Sequence, residues 1–239
     1  MVTRKQKIIG WLRATRPQFL FAYIVLGLGG LFIGLALFKI LPSVSYAFLS
    51  FTTIILSTIG IHFRDEAADW LDGFDIEYGG VGVIRKGILE AKSLQFWGRL
   101  LDMIAIGIAV VHAYLVPSLI YVIIPISLVI IGANYLTERV FLGHEFFPAL
   151  SFAMSFLWVY LGQGWPFTTG ILYFTLFAFT MVFALAPYQD IGDYETDKKS
   201  DKKTLTVKLG IDAVGQFSIL IALLSLFLLY AAINAFLNP

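Results

Sequence analysis

Long apolar runs separated by short polar turns make up most of the chain, and five stretches carry no charged residue: 17–38, 40–61, 103–137, 146–189 and 213–239. A membrane-spanning helix needs about 20 apolar residues, so the third and fourth stretches can each hold two helices. Turn residues around Pro117 and at 162–166 divide them. The pattern therefore predicts seven membrane-spanning helices, near residues 17–38, 43–69, 94–115, 117–136, 146–163, 168–192 and 212–237.

The composition supports the same class of protein. Apolar residues make up 59% of the 239 residues and charged residues only 14%, whereas soluble domains contain about 25% charged residues. This excludes an ordinary soluble domain and predicts an all-α integral membrane protein, a multi-helix transmembrane bundle. The chain has no cysteine, which excludes disulfides, thiolate zinc sites and a cysteine nucleophile.

The charges are distributed unevenly between the two predicted sides. Sixteen of the 17 Lys and Arg residues fall on the side of the amino terminus, and only Lys39 falls on the other. The positive-inside rule makes the crowded side cytoplasmic, which predicts a cell-membrane protein with a cytoplasmic amino terminus. All 16 Asp and Glu residues fall on that side too, although the rule does not require it. We therefore expect the active-site face to be cytoplasmic. The net charge of +1 gives no indication of nucleic-acid binding, and no nucleic-acid partner is expected.

The second and sixth predicted helices run into two acidic segments on this side, at residues 65–75 and 190–197. At about 100° per residue, the first three aspartates of each segment share a helical arc of about 60°. Like charges on one face at a helix carboxyl end repel, so a cation is expected there, and carboxylates suit Mg²⁺. The predicted metal ligands are Asp65, Asp69, Asp72, Asp75, Asp190, Asp193 and Asp197.

Two such faces could hold one diphosphate through bridging metal ions. One acidic face alone could simply be solvated, but two matched segments on one side favour the metal site. Nearby cations, among them Arg85, Lys86, Lys198 and Lys202, could complete the neutralisation. Asp102 is expected to pair with Arg99 on its own helix. The histidines His62, His112 and His144 are too scattered for a metal triad.

These residues resemble the UbiA superfamily of intramembrane prenyltransferases. The first family motif corresponds to Asp65-Glu66-Ala67-Ala68-Asp69, continuing to Gly73 and Asp75, and the second to Asp193 and Asp197, followed by the block 202–210. Arg16-Pro17 and Tyr135 with Arg139 also fit the family pattern. Asp65 and Asp190 stand where the family usually has asparagine, and Asp201 replaces a glycine.

The family has nine helices, so the resemblance implies a single transmembrane prenyltransferase domain over 1–239 that lacks the last two. Those helices are either missing from this sequence, or lipid or another subunit completes the cavity wall of a short variant.

The resemblance implies a Mg²⁺-dependent enzyme that moves an isoprenyl group from a prenyl diphosphate to an aromatic acceptor in quinone lipid synthesis. The implied catalytic residues are Asp65, Asp69, Asp193, Asp197, Tyr135 and Arg139. The implied substrate-binding residues are Arg16, Arg85, Lys86, Lys198, Lys202 and Tyr194. Segment 79–89 looks most like the 1,4-dihydroxy-2-naphthoate branch, which serves menaquinone.

Two alternatives remain. A digeranylgeranylglyceryl phosphate synthase would transfer the prenyl group to an alcohol. A cation-coupled transporter would also place carboxylates in a helical bundle, although transport sites usually lie near the bilayer midplane. Membrane lipid is an expected partner in each case. Gly30 and Gly34 fit the small-xxx-small pattern of close helix packing.

Overall fold

The computed structural model describes residues 2–73, 80–136, 140, 142–192, 194–199 and 202–238, with the backbone only for 128, 129, 131–136 and 196. These residues form ten α-helices and one 3-10 turn, with no strand among them. The helices are α1 (Arg4–Ala14), α2 (Pro17–Phe38), α3 (Val44–Leu71), α4 (Ala91–Leu115), α5 (Ile120–Leu136), α6 (Gly143–Leu161), α7 (Thr169–Gln189), α8 (Tyr194–Lys199), α9 (Leu205–Leu209) and α10 (Ile211–Leu237). The 3-10 turn, Pro117–Leu119, precedes α5.

The seven predicted helices correspond to α2 to α7 and α10, with ends that differ by up to three residues. Five of them, α2, α3, α4, α7 and α10, are long and apolar enough to cross a membrane. The chain is thus an integral membrane protein. Helices α5 and α6 are not among the five within the described part of the chain. Helix α6 needs fewer aliphatic residues because the protein covers it, with 11 of its 19 residues buried.

Helix α6 lies at the centre of the bundle. It contacts α2, α3, α5 and α7, while the pairs α3–α4 and α7–α10 pack along most of their lengths. The core around α6 contains the fully buried rings of Phe156, Trp158 and Tyr160. Large apolar side chains on the outer helices, such as Phe32 and Phe227, are about two-thirds exposed (65% and 64%). A surface of this kind suits contact with lipid chains.

The first acidic segment begins within α3 and the second follows α7, and these two helices finish at the same end of the bundle, called the acidic end below. There, Arg16 before α2 pairs with Asp65 on α3, and His144 on α6 pairs with Asp190 after α7. At the opposite end, the Ser43 amide donates to Gln163 Oε1 at 2.7 Å. Two long helices thus deliver their acidic carboxyl-terminal ends to one region.

The two glycines of the small-xxx-small pattern on α2 both face close neighbours: Gly30 lies against α6, and Gly34 lies against the Trp165 ring after that helix. A methyl group on Gly30 would lie 2.8 Å from the Phe156 carbonyl oxygen, whereas one on Gly29 would meet nothing within 4 Å. We expect Gly30→Ala to lower the unfolding free energy by about 1–3 kcal/mol because two backbones must move apart. Thermal unfolding in detergent measures this. The matched control is Gly29→Ala, and equal stability of the two variants would contradict the close approach.

Candidate active site

A cavity of about 280 Å³ lies at the acidic end, between α2, α3, α6 and α7. We call it the outer chamber. Its polar wall includes Arg16, Asp65, His144 and Gln189, so it receives groups from the first acidic segment and from the residue next to the second. Its apolar wall includes Phe19, Phe147, Phe152, Val182 and Leu185. The chamber therefore combines charged groups at the helix ends with a hydrocarbon lining.

Arg16 reaches the first acidic segment through an unusual backbone turn. It occupies the left-handed region, with φ 46° and ψ 65°, between α1 and α2, and Pro17 starts α2. A non-glycine residue in this region costs about 1–2 kcal/mol. The turn allows Arg16 Nη2 to lie 3.0 Å from Asp65 Oδ2. The ion pair connects the start of α2 to the last turns of α3.

The other aspartates of the first acidic segment differ from one another in how far their side chains are exposed. Helix α3 continues unbroken to Leu71, so Asp65 and Asp69 lie on one helix, and Asp72 caps its carboxyl end. Asp69 is buried, at 8% exposure, and Asp72 is exposed. Asp75 lies outside the described residues.

Glu66 has a role that the sequence interpretation missed. It is 2% exposed and accepts backbone hydrogen bonds from Val81 at 2.9 Å and Val83 at 3.4 Å. Arg16 Nη2 lies 3.8 Å from its Oε2. The carboxylate thus holds the middle of the connection between α3 and α4. The only signal in the sequence was a second carboxylate beside Asp65.

The second acidic segment does not continue helix α7, so the predicted shared arc of its three aspartates is wrong. Helix α7 ends at Gln189, Asp190 caps it, and Asp197 lies on the separate helix α8. The Asp190 amide bonds the Pro187 carbonyl, three residues back, and Gly192 follows, a poor helix former. Asp193 lies outside the described residues.

Asp190 instead joins a group that includes His144 and Glu145. His144 Nδ1 lies 3.3 Å from Asp190 Oδ2, and Glu145, fully buried, accepts the Leu205 amide at 2.6 Å. One ligand atom from each of the three lies within 4.8 Å of the others, a grouping that could hold a metal ion. His144, one of the histidines that the sequence interpretation did not place in a metal site, thus clusters with two carboxylates. The adjacent His-Glu pair before an apolar run was the available signal.

The segment after α7 folds back against that helix. Thr206 Oγ1 donates to the Pro187 carbonyl at 2.9 Å, and Lys202 Nζ lies 3.8 Å from Asp197 Oδ1. Lys198 Nζ lies 5.4 Å from the centre of the Tyr194 ring. The structure therefore places Lys202 beside the Asp197 carboxylate and Lys198 over the Tyr194 ring.

Residues 83–239 match the UbiA prenyltransferase family. The chain belongs to this family. As a family member it is a prenyltransferase, and the transporter alternative is not supported. No curated protein sequence matches the chain.

Two solved structures have the same fold as this family member. A UbiA homologue from Archaeoglobus fulgidus bound to GPP and Mg²⁺ superposes with a TM-score of 0.72 at 16% identity, covering 93% of this chain and 77% of that one. A UbiA homologue from the same organism bound to DMAPP and Mg²⁺ gives 0.64 at 14% identity, covering 95% and 86%. They confirm the predicted all-helical membrane bundle.

The structure does not place Arg85, Lys86, Tyr135 or Arg139 among the described residues that line the outer chamber. Arg85 and Lys86 are exposed in the loop before α4 and are not among the described residues that line the chamber. The backbone of Tyr135 lies in the last turn of α5, and Arg139 lies outside the described residues.

Asp102 does not have the partner predicted for it. Arg64 Nε lies 2.6 Å from Asp102 Oδ2, so the pair joins α3 to α4, and Arg99 is exposed. The two helices approach closely because Gly60 and Gly98 face each other there: a methyl on Gly98 would lie 2.8 Å from the Gly60 carbonyl oxygen.

Proposed function

We propose that the chain is a Mg²⁺-dependent prenyltransferase that moves an isoprenyl group from a prenyl diphosphate to an aromatic acceptor, of the kind used in menaquinone-type quinone synthesis. One observation carries this proposal: Arg16 and Asp65 line the same cavity as His144 and Gln189. Asp65 of the first acidic segment and Gln189, the residue before the second, thus line one apolar-walled space, which suits a lipid with a diphosphate head. UbiA homologues of the same fold were solved with GPP or DMAPP and Mg²⁺.

The residues at the acidic end fit a divalent cation. Glu145 and Asp190 are buried carboxylates, and Glu145 Oε2 has no hydrogen-bond partner among the described residues. Buried carboxylates need a counterion, and Mg²⁺ prefers oxygen ligands. Mg²⁺ bound there would act as a Lewis acid toward the departing diphosphate. The proposed ligands are Asp65, Asp69, Asp72, Asp75, Asp190, Asp193 and Asp197, and the structure adds Glu145 as a candidate.

Arg16 is proposed to bind the diphosphate. Its ion pair with Asp65 is partly solvated, with side-chain exposures of 21% and 22%, and such a pair contributes only about 1 kcal/mol. Arg16 can therefore exchange the carboxylate for a phosphate oxygen at little cost. Further cations would stabilise the negative charge that develops on the leaving group; those proposed are Arg85, Lys86, Lys198, Lys202 and Arg139.

The aromatic wall of the chamber would protect the allylic cation. Phe19, Phe147 and Phe152 line the chamber, and aromatic faces attract cations. The same rings exclude water, which would otherwise capture the cation. Tyr135 is proposed as a further catalytic aromatic residue, and Tyr194 as a substrate contact near the diphosphate.

The acidic end is proposed to face the cytoplasm of a cell-membrane protein. The positive-inside rule supports this orientation, since Arg16 and the Lys198–Lys202 region belong to that end. Residues 1–239 are proposed to act as one transmembrane domain.

The test is a product assay. Purified protein is incubated with Mg²⁺, a labelled C15 or C20 prenyl diphosphate and one acceptor at a time: 1,4-dihydroxy-2-naphthoate, 4-hydroxybenzoate or geranylgeranylglyceryl phosphate. We expect a prenylated aromatic product by mass, lost with a chelator and restored by Mg²⁺. If only geranylgeranylglyceryl phosphate gives a product, the acceptor is an alcohol, as in the digeranylgeranylglyceryl phosphate synthase alternative, and not an aromatic ring. Absence of product from every acceptor and both diphosphates would refute the proposal.

A further inference from the structure

The outer chamber continues into a second, narrower cavity deeper in the bundle. This inner chamber, of about 50 Å³, shares Tyr23, Ile61, His62 and Ser151 with the outer one. It extends along α3 from His62 to Thr53, nine residues or about 14 Å of helix. The two cavities therefore form one channel that starts at the acidic end and runs toward the bundle centre.

The inner chamber suits hydrocarbon. Its described lining includes Ile54, Ile126, Ile130 and Met154, and none of the lining residues is Asp, Glu, Lys or Arg. Hydroxyl groups are also present, but several donate to carbonyls of their own helices: Ser57 to Ile54, Ser151 to Phe147 and Ser155 to Ser151. Such internal bonds reduce a hydroxyl's need for another partner. A diphosphate or carboxylate would find no cation there.

Trp158 on α6 and the adjacent residues Ile54 and Thr53 on α3 are the lining residues of those two helices that lie farthest from the acidic end, and they form the floor of the inner chamber. Trp158 is fully buried and Ile54 is 5% exposed. The Trp158 ring meets His112 edge to face, with centroids 5.6 Å apart, and His112 Nε2 lies 3.0 Å from the Gly162 carbonyl oxygen. A methyl group on Gly162 would lie 2.8 Å from the His112 ring. The floor is therefore backed by a close-packed layer and has little freedom to yield.

We propose that Trp158, with Ile54 opposite, sets the upper limit on prenyl chain length. The inference rests on the proposed function, because it needs a diphosphate head held at the acidic end. With the head fixed beside Arg16 and Asp65, the tail extends down the channel, and each added isoprene unit brings its end closer to the floor. Trp158 is thus a specificity-determining residue that never contacts the reacting atoms.

The test compares the affinities of C10, C15 and C20 prenyl diphosphates for purified protein in detergent with Mg²⁺. Trp158→Ala and Ile54→Ala each remove most of a side chain that closes the inner chamber, the first from α6 and the second from α3, and each should make the chamber deeper. We expect each to raise the ratio of C20 to C10 affinity by about tenfold over wild type. The matched control is Phe156→Ala, which removes a fully buried ring from the same helix but lines neither chamber. Its ratio should stay that of wild type.

Several results would overturn the proposal. An unchanged ratio in both floor variants would mean that the tail leaves the channel elsewhere, and an equal shift in Phe156→Ala would mean that loosened packing is responsible. If Trp158→Ala does not fold, Ile54→Ala and the smaller change Trp158→Phe decide the question. Failure of the wild-type protein to bind any of the three diphosphates would instead refute the proposed function, a result distinct from tight but length-insensitive binding.

Discussion

Asparagine in place of Asp69 or of Asp197 is expected to lower the kcat/KM for prenyl transfer by about 10²–10³-fold. One residue comes from each acidic segment, and both are largely buried, at 8% and 6% exposure. Asparagine keeps the shape but removes the charge, so it weakens metal binding and leaves the developing negative charge of the diphosphate less stabilised. Steady-state release of labelled diphosphate at saturating Mg²⁺ measures the effect.

The matched control is Asp212→Asn. Asp212 is an exposed aspartate in the first turn of α10 and lies in neither acidic segment, so its loss should leave turnover within about twofold of wild type. Thermal unfolding in detergent verifies that each variant is folded. Wild-type turnover in both the Asp69 and the Asp197 variants would show that these two carboxylates are not ligands of the proposed metal site.

The two acidic segments share a structural feature beyond their aspartates. A buried glutamate accepts backbone hydrogen bonds from the loop that follows each segment: Glu66 binds Val81 and Val83, and Glu145 binds Leu205. The first of these connections continues to Arg85 and Lys86, which are exposed, and Leu205 follows the exposed Lys198 and the largely buried Lys202. These four cations are among those proposed to neutralise the diphosphate. Part of the acidic charge thus organises backbone rather than substrate.

The long helices were predictable because a bilayer requires each spanning helix to have a minimum length and an apolar composition, and both are visible in the linear sequence. Helix α1 was missed because it has only 11 residues, four of them Lys or Arg, and therefore contains no long apolar run, although a capping box between Thr3 and Gln6 marks its start. The end of α7 was misjudged because a helical projection assumes that the helix continues. The break depends on the bond between Asp190 and Pro187, which hydropathy does not reveal.

The side-chain partners at the acidic end were less predictable than the helices. Asp65 pairs with Arg16 and Asp190 with His144, residues on helices far away in sequence. Spacing along one helix identifies only neighbours on that helix. It therefore located the acidic segments and their side of the bundle, but it did not identify Glu66, Glu145 or His144 as parts of the site.

Replacing Asp102 with alanine is expected to lower the unfolding free energy by about 3–5 kcal/mol. The change leaves Arg64, 16% exposed, without the carboxylate that lies 2.6 Å away, and the bond from Arg64 to the Ile130 carbonyl does not neutralise its charge. Equilibrium unfolding in mixed detergent measures the loss.

Arg99→Ala, at an exposed position on the same helix, should lower the unfolding free energy by less than about 0.5 kcal/mol. Replacing both partners, with Arg64→Met and Asp102→Leu, should recover most of the loss; a double variant as unstable as Asp102→Ala would show that the two charges are not coupled.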